Sequence, residues 1–120
     1  MQRDMELIRA ILMSVEDESG DRLQNYEKGT IAYHVQLLID AGLCEGWVRT
    51  QNTGSGMTWD AYAIHRLTWQ GHDFLDSVKD DGVWKKAKAK VLKPGAAWTF
   101  EILKAVLKAE IAKRLALFDG

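Results

Sequence analysis

The stretch from Lys28 to Leu43, KGTIAYHVQLLIDAGL, constrains the fold of this chain more than any other. Ile31, Val35, Leu38 and Ile39 recur at helical spacing and give the segment one apolar face. Thr30 is placed to cap its start with a hydroxyl. Gly42 follows the last helical residue, where a left-handed backbone is needed to stop a helix. From Leu43 to Thr50 the pattern turns extended. A short amphipathic helix therefore stops on a glycine and passes directly into a strand.

The flanking segments supply partners for that helix. Asp4 to Asp17 reads as a first helix, with Met5, Ile8, Leu12 and Val15 in one stripe, Leu7 and Ile11 widening it, and Ser19-Gly20 ending it. Between Asp21 and Gly29 there is room for about one helical turn, so a helix here is either shortened or replaced by an extended piece. After Leu43 to Thr50 comes QNTGSGMT (Gln51 to Thr58), whose Gly, Asn and Ser predict a loop. Trp59 to Leu67 predicts a returning strand, with Tyr62 and Ile64 on one face and Ala61, Ala63 and His65 on the other. Thr68 then caps a helix whose Trp69, Phe74, Leu75 and Val78 close the core. Leu12, Val35, Leu38, Leu43, Leu67 and Phe74 are expected to be buried together.

The remaining chain differs in charge. Residues 1–82 carry seven bases against fourteen acids, net −7, while residues 83–120 carry nine bases against three acids, net +6. Val83 to Lys93 predicts a basic amphipathic helix anchored by Trp84, Val91 and Leu92, broken at Lys93-Pro94-Gly95. Ala96 to Phe118 predicts a long helix with Phe100, Leu103, Leu107, Ile111, Leu115 and Phe118 on one face. A face this broad needs a cover.

The order helix, helix, strand, loop, strand, helix is the winged-helix order with one element reduced. Lys28 to Leu43 resembles the recognition-helix segment of the arsenic-repressor and MarR types of winged-helix regulator. Four blocks in order, RDMELIRAIL, IAYHVQLLIDAGLCEG, RLTWQGHDFLDSVKDD and VWKKAKAKV, resemble a family of small phage and bacterial proteins, the domain-of-unknown-function family numbered 2513. The resemblance covers about residues 1–93. It implies a winged-helix fold and a prokaryotic or prophage source, and carries no activity with it. The expectation is an α+β winged helix-turn-helix domain over residues 1–82 with a basic helical extension over 83–120.

Two functions follow from this reading. In the regulator alignment Thr30, Ala32, Tyr33 and Gln36 face a major groove of double-stranded DNA, with Gln36 on an adenine edge and Lys28 and Arg49 on phosphates. That basic set is thin, because Thr30 to Ala41 contains no Lys or Arg and affinity for DNA comes mostly from neutralised phosphates. The alternative is a non-enzymatic interaction module that engages a protein through an acidic surface. A continuous basic stripe across the second helix and wing favours DNA, and an acidic one favours a protein. For the tail, docking on its own body, nucleic-acid binding and dimerisation all stand. A homodimer or a protein partner held through Trp98, Phe100, Leu103, Leu107, Ile111, Leu115 and Phe118 is the expectation.

Other chemistry finds little footing. His34, His65, His72 and Cys44 lack ligand spacing, so no metal and no cofactor are expected. No nucleophile elbow, phosphate loop or zinc-protease signature occurs, and no enzyme is expected. Acids interrupt the opening apolar stretch, which argues against a signal peptide. With one cysteine, no internal disulfide is possible, and a cytoplasmic location without a membrane partner is expected. Cys44 is expected to be buried on its strand. Trp47 and Trp69 are assigned to the core, Trp59 to the border of the wing, and Trp84 and Trp98 to docking of the tail.

Overall fold

The structure is a computed structural model that describes residues 1–91 and 98–119, with side chains as far as Ala116. It is α+β. Among the described residues there are five α-helices and one two-stranded antiparallel sheet: α1 (Met5–Asp17), a 3-10 turn (Asp21–Leu23), α2 (Lys28–Asp40), β1 (Cys44–Thr53), β2 (Gly56–Leu67), α3 (Trp69–Val78), α4 (Asp81–Val91) and α5 (Phe100–Asp119). The chain divides into two compact units, 1–73 and 74–120, with the boundary in the sequence of α3.

In the first unit, α1 packs on α2 and both pack on the hairpin. Asp4 starts α1, its carboxylate accepting from the backbone N–H groups of Glu6 and Leu7. The helix stops one residue before the expected Ser19-Gly20, on Glu18 in a left-handed conformation (φ 55°). Of the two alternatives between Asp21 and Gly29, the structure shows the shortened helix, as the 3-10 turn. Thr30 does not cap α2. The helix begins at Lys28 with Glu27 at its N-cap, so Thr30 already lies in the first turn.

At its other end α2 stops as the glycine requires. Gly42 has φ 75°, the Leu43 N–H donates to the Leu38 carbonyl, and the Gly42 N–H donates to that of Ile39. This pair of bonds satisfies carbonyls that a helix end otherwise leaves open.

The hairpin is longer than its composition suggests. Most of QNTGSGMT is strand, and only Gly54 and Ser55 lie between the paired residues Thr53 and Gly56. The Thr53 hydroxyl donates to the Gly56 carbonyl at 2.8 Å, closing the turn with side-chain chemistry. At the neck, the Thr68 N–H donates to the Leu43 carbonyl and the Thr68 hydroxyl donates to the Gly42 carbonyl at 2.6 Å. The same hydroxyl accepts the Gly71 N–H and so caps α3. A Cβ at Gly71 would sit 1.8 Å from the Leu43 carbonyl oxygen, so only glycine permits this approach.

All six residues expected in the core are buried. Leu12, Val35, Leu38, Leu43 and Leu67 belong to the first unit and Phe74 to the second. Cys44 is buried on β1, and burial pushes its thiol up to about 11.

The second unit is helical. Val83, Trp84, Ala87 and Val91 of α4 are buried, as are Leu103 and Leu107 of α5, and α4 packs against α5. Phe74 meets Phe100 with ring centroids 4.8 Å apart. Glu110 is 5 % exposed and forms ion pairs with Lys90 and Lys113. The bond from Lys90 holds the Glu110 carboxyl below the usual carboxylate range, and the same bond raises Lys90. Arg114 of α5 pairs with Asp80, whose carboxyl is lowered first by the Val83 N–H and then by Arg114. Leu92, Pro94, Gly95 and the expected start of the long helix at Ala96 lie outside the described residues.

Candidate functional site

The surface built by α2 and the hairpin is where the sequence places a nucleic-acid contact. Lys28 sits exposed at the first position of α2, beside Glu27. Thr30 is half-buried, and its carbonyl accepts from His34 Nδ1 at 2.8 Å. Ala32, expected to face a groove, is fully buried, because it falls on the same side of α2 as Ile31 and Val35. Tyr33 is half-buried and makes edge contacts with Trp59 (5.2 Å) and His34 (5.5 Å). Gln36 donates its amide to Asp40 one turn on, at 2.8 Å. Arg49 points both Nε and Nη2 at one carboxylate oxygen of Asp60 on the neighbouring strand, at 2.9 and 2.6 Å. The fold thus brings Lys28, Tyr33 and Gln36 onto one helix and Arg49 onto the adjoining hairpin, but three of these four already have partners.

The charges of this unit are mostly spent internally. Arg22 pairs with Asp17, Arg49 with Asp60 and Arg66 with Glu45, while Arg3 and Arg9 are also engaged. Among the described residues of the unit, Lys28 alone of the bases has no such partner. Residues 1–73 carry six bases against eleven acids, net −5. No continuous basic stripe runs over α2 and the hairpin.

His34 lies on the inner face of α2. It is 1 % exposed. Its Nε2 accepts the Asp4 backbone N–H at 2.8 Å, which leaves Nδ1 to carry the proton donated to the Thr30 carbonyl. One imidazole ties the start of α1 to α2. The sequence signal lies in its spacing, since residue 34 falls between Ile31 and Leu38 on the buried face. Tyr26 lies close to the same helix start, its hydroxyl pushed up by burial and by the charges of Asp4 and Glu6. Among the described residues, no three His, Cys, Asp or Glu side chains cluster as a metal site would need.

Two tryptophans assigned to the core are on the surface. Trp47 is 47 % exposed and Trp69 79 % exposed. On β1 exposure alternates, with Gly46 and Val48 turned inward and Trp47 outward, so Trp47 and Val48 cannot share a face. On α3 the buried positions are Gly71, Phe74, Leu75 and Val78, and Trp69 shares the opposite side with His72, Asp73 and Asp76. Trp59 is half-buried beside Tyr33, Trp84 is buried, and Trp98 is half-buried with a partner of its own.

The face proposed for assembly on α5 is largely used within one chain. Leu103 and Leu107 are fully buried, Phe100 and Ile111 are half-buried, and Leu115 is 58 % exposed. The Phe118 side chain lies outside the described residues. Between α4 and α5 a groove of about 470 Å³ is lined by Val83, Lys86, Glu110, Lys113, Arg114 and Ala116. Three of its charged groups are already bound in the ion pairs given above. No helix among the described residues is long and apolar enough to cross a membrane.

The sequence blocks that resemble family 2513 are matched by comparison. Residues 2–97 match the family described as "Hypothetical protein (DUF2513)", and the chain belongs to that family. A Haemophilus influenzae protein bearing the name "Uncharacterized protein" is 30 % identical over 123 residues, covering 97 % of this chain and all of the relative. The family match ends before α5, whereas the likeness to the Haemophilus protein extends into it. No solved structure matches the chain.

Proposed function

We propose that the first unit is a winged helix that binds a protein partner through an acidic surface and performs no catalysis. The order helix, turn, helix, hairpin, helix supports the winged-helix reading. The observation that carries the function is the state of the bases around α2. Arg49, the phosphate contact expected on the hairpin, is taken up by Asp60, and α2 offers only Lys28. A duplex is held mainly by phosphate contacts, each of which counts at physiological salt. A surface of net −5 that exposes Trp47 and Trp69 suits a protein of opposite charge instead, with the aromatic rings as anchors.

The second reading, a DNA-binding regulator, is favoured by the placement of α2 beside the hairpin with Gln36 and Tyr33 on its outer half. Titrating labelled random-sequence duplex with the full chain at two salt concentrations separates the two. No salt-dependent binding in dilute buffer is expected. Binding that weakens with salt, and weakens again in Lys28→Ala and Arg49→Ala, would give the function to DNA.

A further inference from the structure

The groove of about 470 Å³ between α4 and α5 combines apolar and basic walls. Val83 and Ala116 are its apolar residues, and Lys86, Lys113 and Arg114 stand exposed around them. Glu110 is the one carboxylate of the lining, so the walls carry a net charge of +2. Lys113 meets Glu110 and Arg114 meets Asp80, while Lys86 has no ion-pair partner among the described residues. Along α5 the lining runs from Glu110 to Ala116, a rise of about 9 Å.

Helix α3 carries a face of matching length and opposite charge. Trp69, Asp73 and Asp76 follow i, i+4, i+7 spacing on its exposed side, a rise of about 10 Å. The helix holds two acids and no Lys or Arg. Trp69 and Asp73 have no hydrogen-bond, ion-pair or ring partner among the described residues, and Asp76 meets Lys79 in an exposed pair at 3.3 Å. Among the described helices, α3 alone sets an exposed tryptophan beside two carboxylates. An indole brings a large apolar body, and the cations of the groove attract its ring face.

We infer that the groove between α4 and α5 takes the outer face of α3 from a second copy of this chain. Trp69 enters between Val83 and Ala116, and Asp73 and Asp76 meet the bases around them, a helix laid into a groove between two others. Charge over the whole chain favours this occupant. Residues 1–73 are net −5, and residues 74–120 carry ten bases against six acids, net +4. Two copies that each give α3 and receive the other's close as a twofold pair. The inference rests on the protein-binding reading above and names the partner held at Trp69.

Sedimentation velocity of the full chain across micromolar concentrations tests it. A monomer–dimer equilibrium that weakens as salt rises is expected. Trp69→Ser should weaken the dimer at least about tenfold, and Lys86→Glu and Asp73→Lys about tenfold each. All three positions are exposed, so the circular dichroism spectrum should not change. An equal mixture of Lys86→Glu and Asp73→Lys should associate better than either variant by itself, because an unaltered α3 then meets an unaltered groove. A monomer at every concentration, growth past two copies, association that keeps its strength in Trp69→Ser or Lys86→Glu, or a mixture no better than its parts would overturn the inference. A monomer would leave the protein-binding reading standing with a different protein at Trp69, whereas salt-dependent duplex binding would remove that reading itself.

Discussion

Replacing His34 by leucine isolates the hydrogen bonds of the buried imidazole from its volume. The ring receives the Asp4 N–H and donates to the Thr30 carbonyl, both at 2.8 Å. Leucine keeps an apolar body of similar size and removes both bonds. The Thr30 carbonyl keeps its helix bond, so its loss is an ordinary one of about 0.5–1.5 kcal/mol. The Asp4 N–H is left without an acceptor, which costs about 1–3 kcal/mol when buried. Asp4 itself is exposed, so water covers part of that loss and the low end applies. His34→Leu should therefore cost about 1.5–2.5 kcal/mol. His34→Ala adds a cavity between α1 and α2 and should cost about 3–4 kcal/mol. Urea unfolding followed by tryptophan fluorescence, with the slope unchanged, measures both. A leucine variant as stable as the parent would show that the imidazole serves as filler and that its bonds do not tie α1 to α2.

Leu107 is fully buried within a single chain, so Leu107→Ala should cost the helical unit about 2–5 kcal/mol at any protein concentration. A loss that grows on dilution would show that the face is covered by a second copy. Acid should loosen the same unit. Glu110 and Asp80 are held below their ordinary values in the folded chain, so the stability they give is present above the usual carboxylate range and is lost as pH falls through their folded values. Unfolding curves from neutral to acid pH should show this loss, and Glu110→Gln should flatten it. An unchanged slope in that variant would mean that the pairing with Lys90 contributes nothing.

Local stereochemistry was the most legible part of this sequence. Gly42 as a helix stop and Thr68 as the cap of α3 are read correctly because each of these roles acts on backbone within a few residues. The six core positions follow from helix and strand periodicity for the same reason. The hairpin was harder. Gln51 to Thr58 has the composition of a loop, yet pairing across the strands, together with the Thr53 hydroxyl at the turn, extends the ladder through it. Trp47 and Trp69 misled because size suggests burial, while the facing of a strand or helix decides it. His34 and Glu110 are buried polar groups that each have one partner far along the chain, 30 and 20 residues away, and no local pattern announces such partners. In the candidate site, the positions of Lys28 and Arg49 were legible. Their meaning changed because Asp60, across the sheet, takes up the Arg49 charge.

The bonds that Thr68 makes to Leu43 and Gly42 close the hairpin at its neck. Chain closure is thus settled at the base, and residues at the tip inherit no duty to bring the strands together. Gly54 and Ser55 are exposed, and a Cβ on Gly54 would meet nothing within 4 Å. The tip is accordingly a place where length can change without disturbing α2 or α3. Relatives that differ in this hairpin should differ there first, by insertion or deletion. A short peptide tag placed between Gly54 and Ser55 would extend outward while the helices beneath keep their packing.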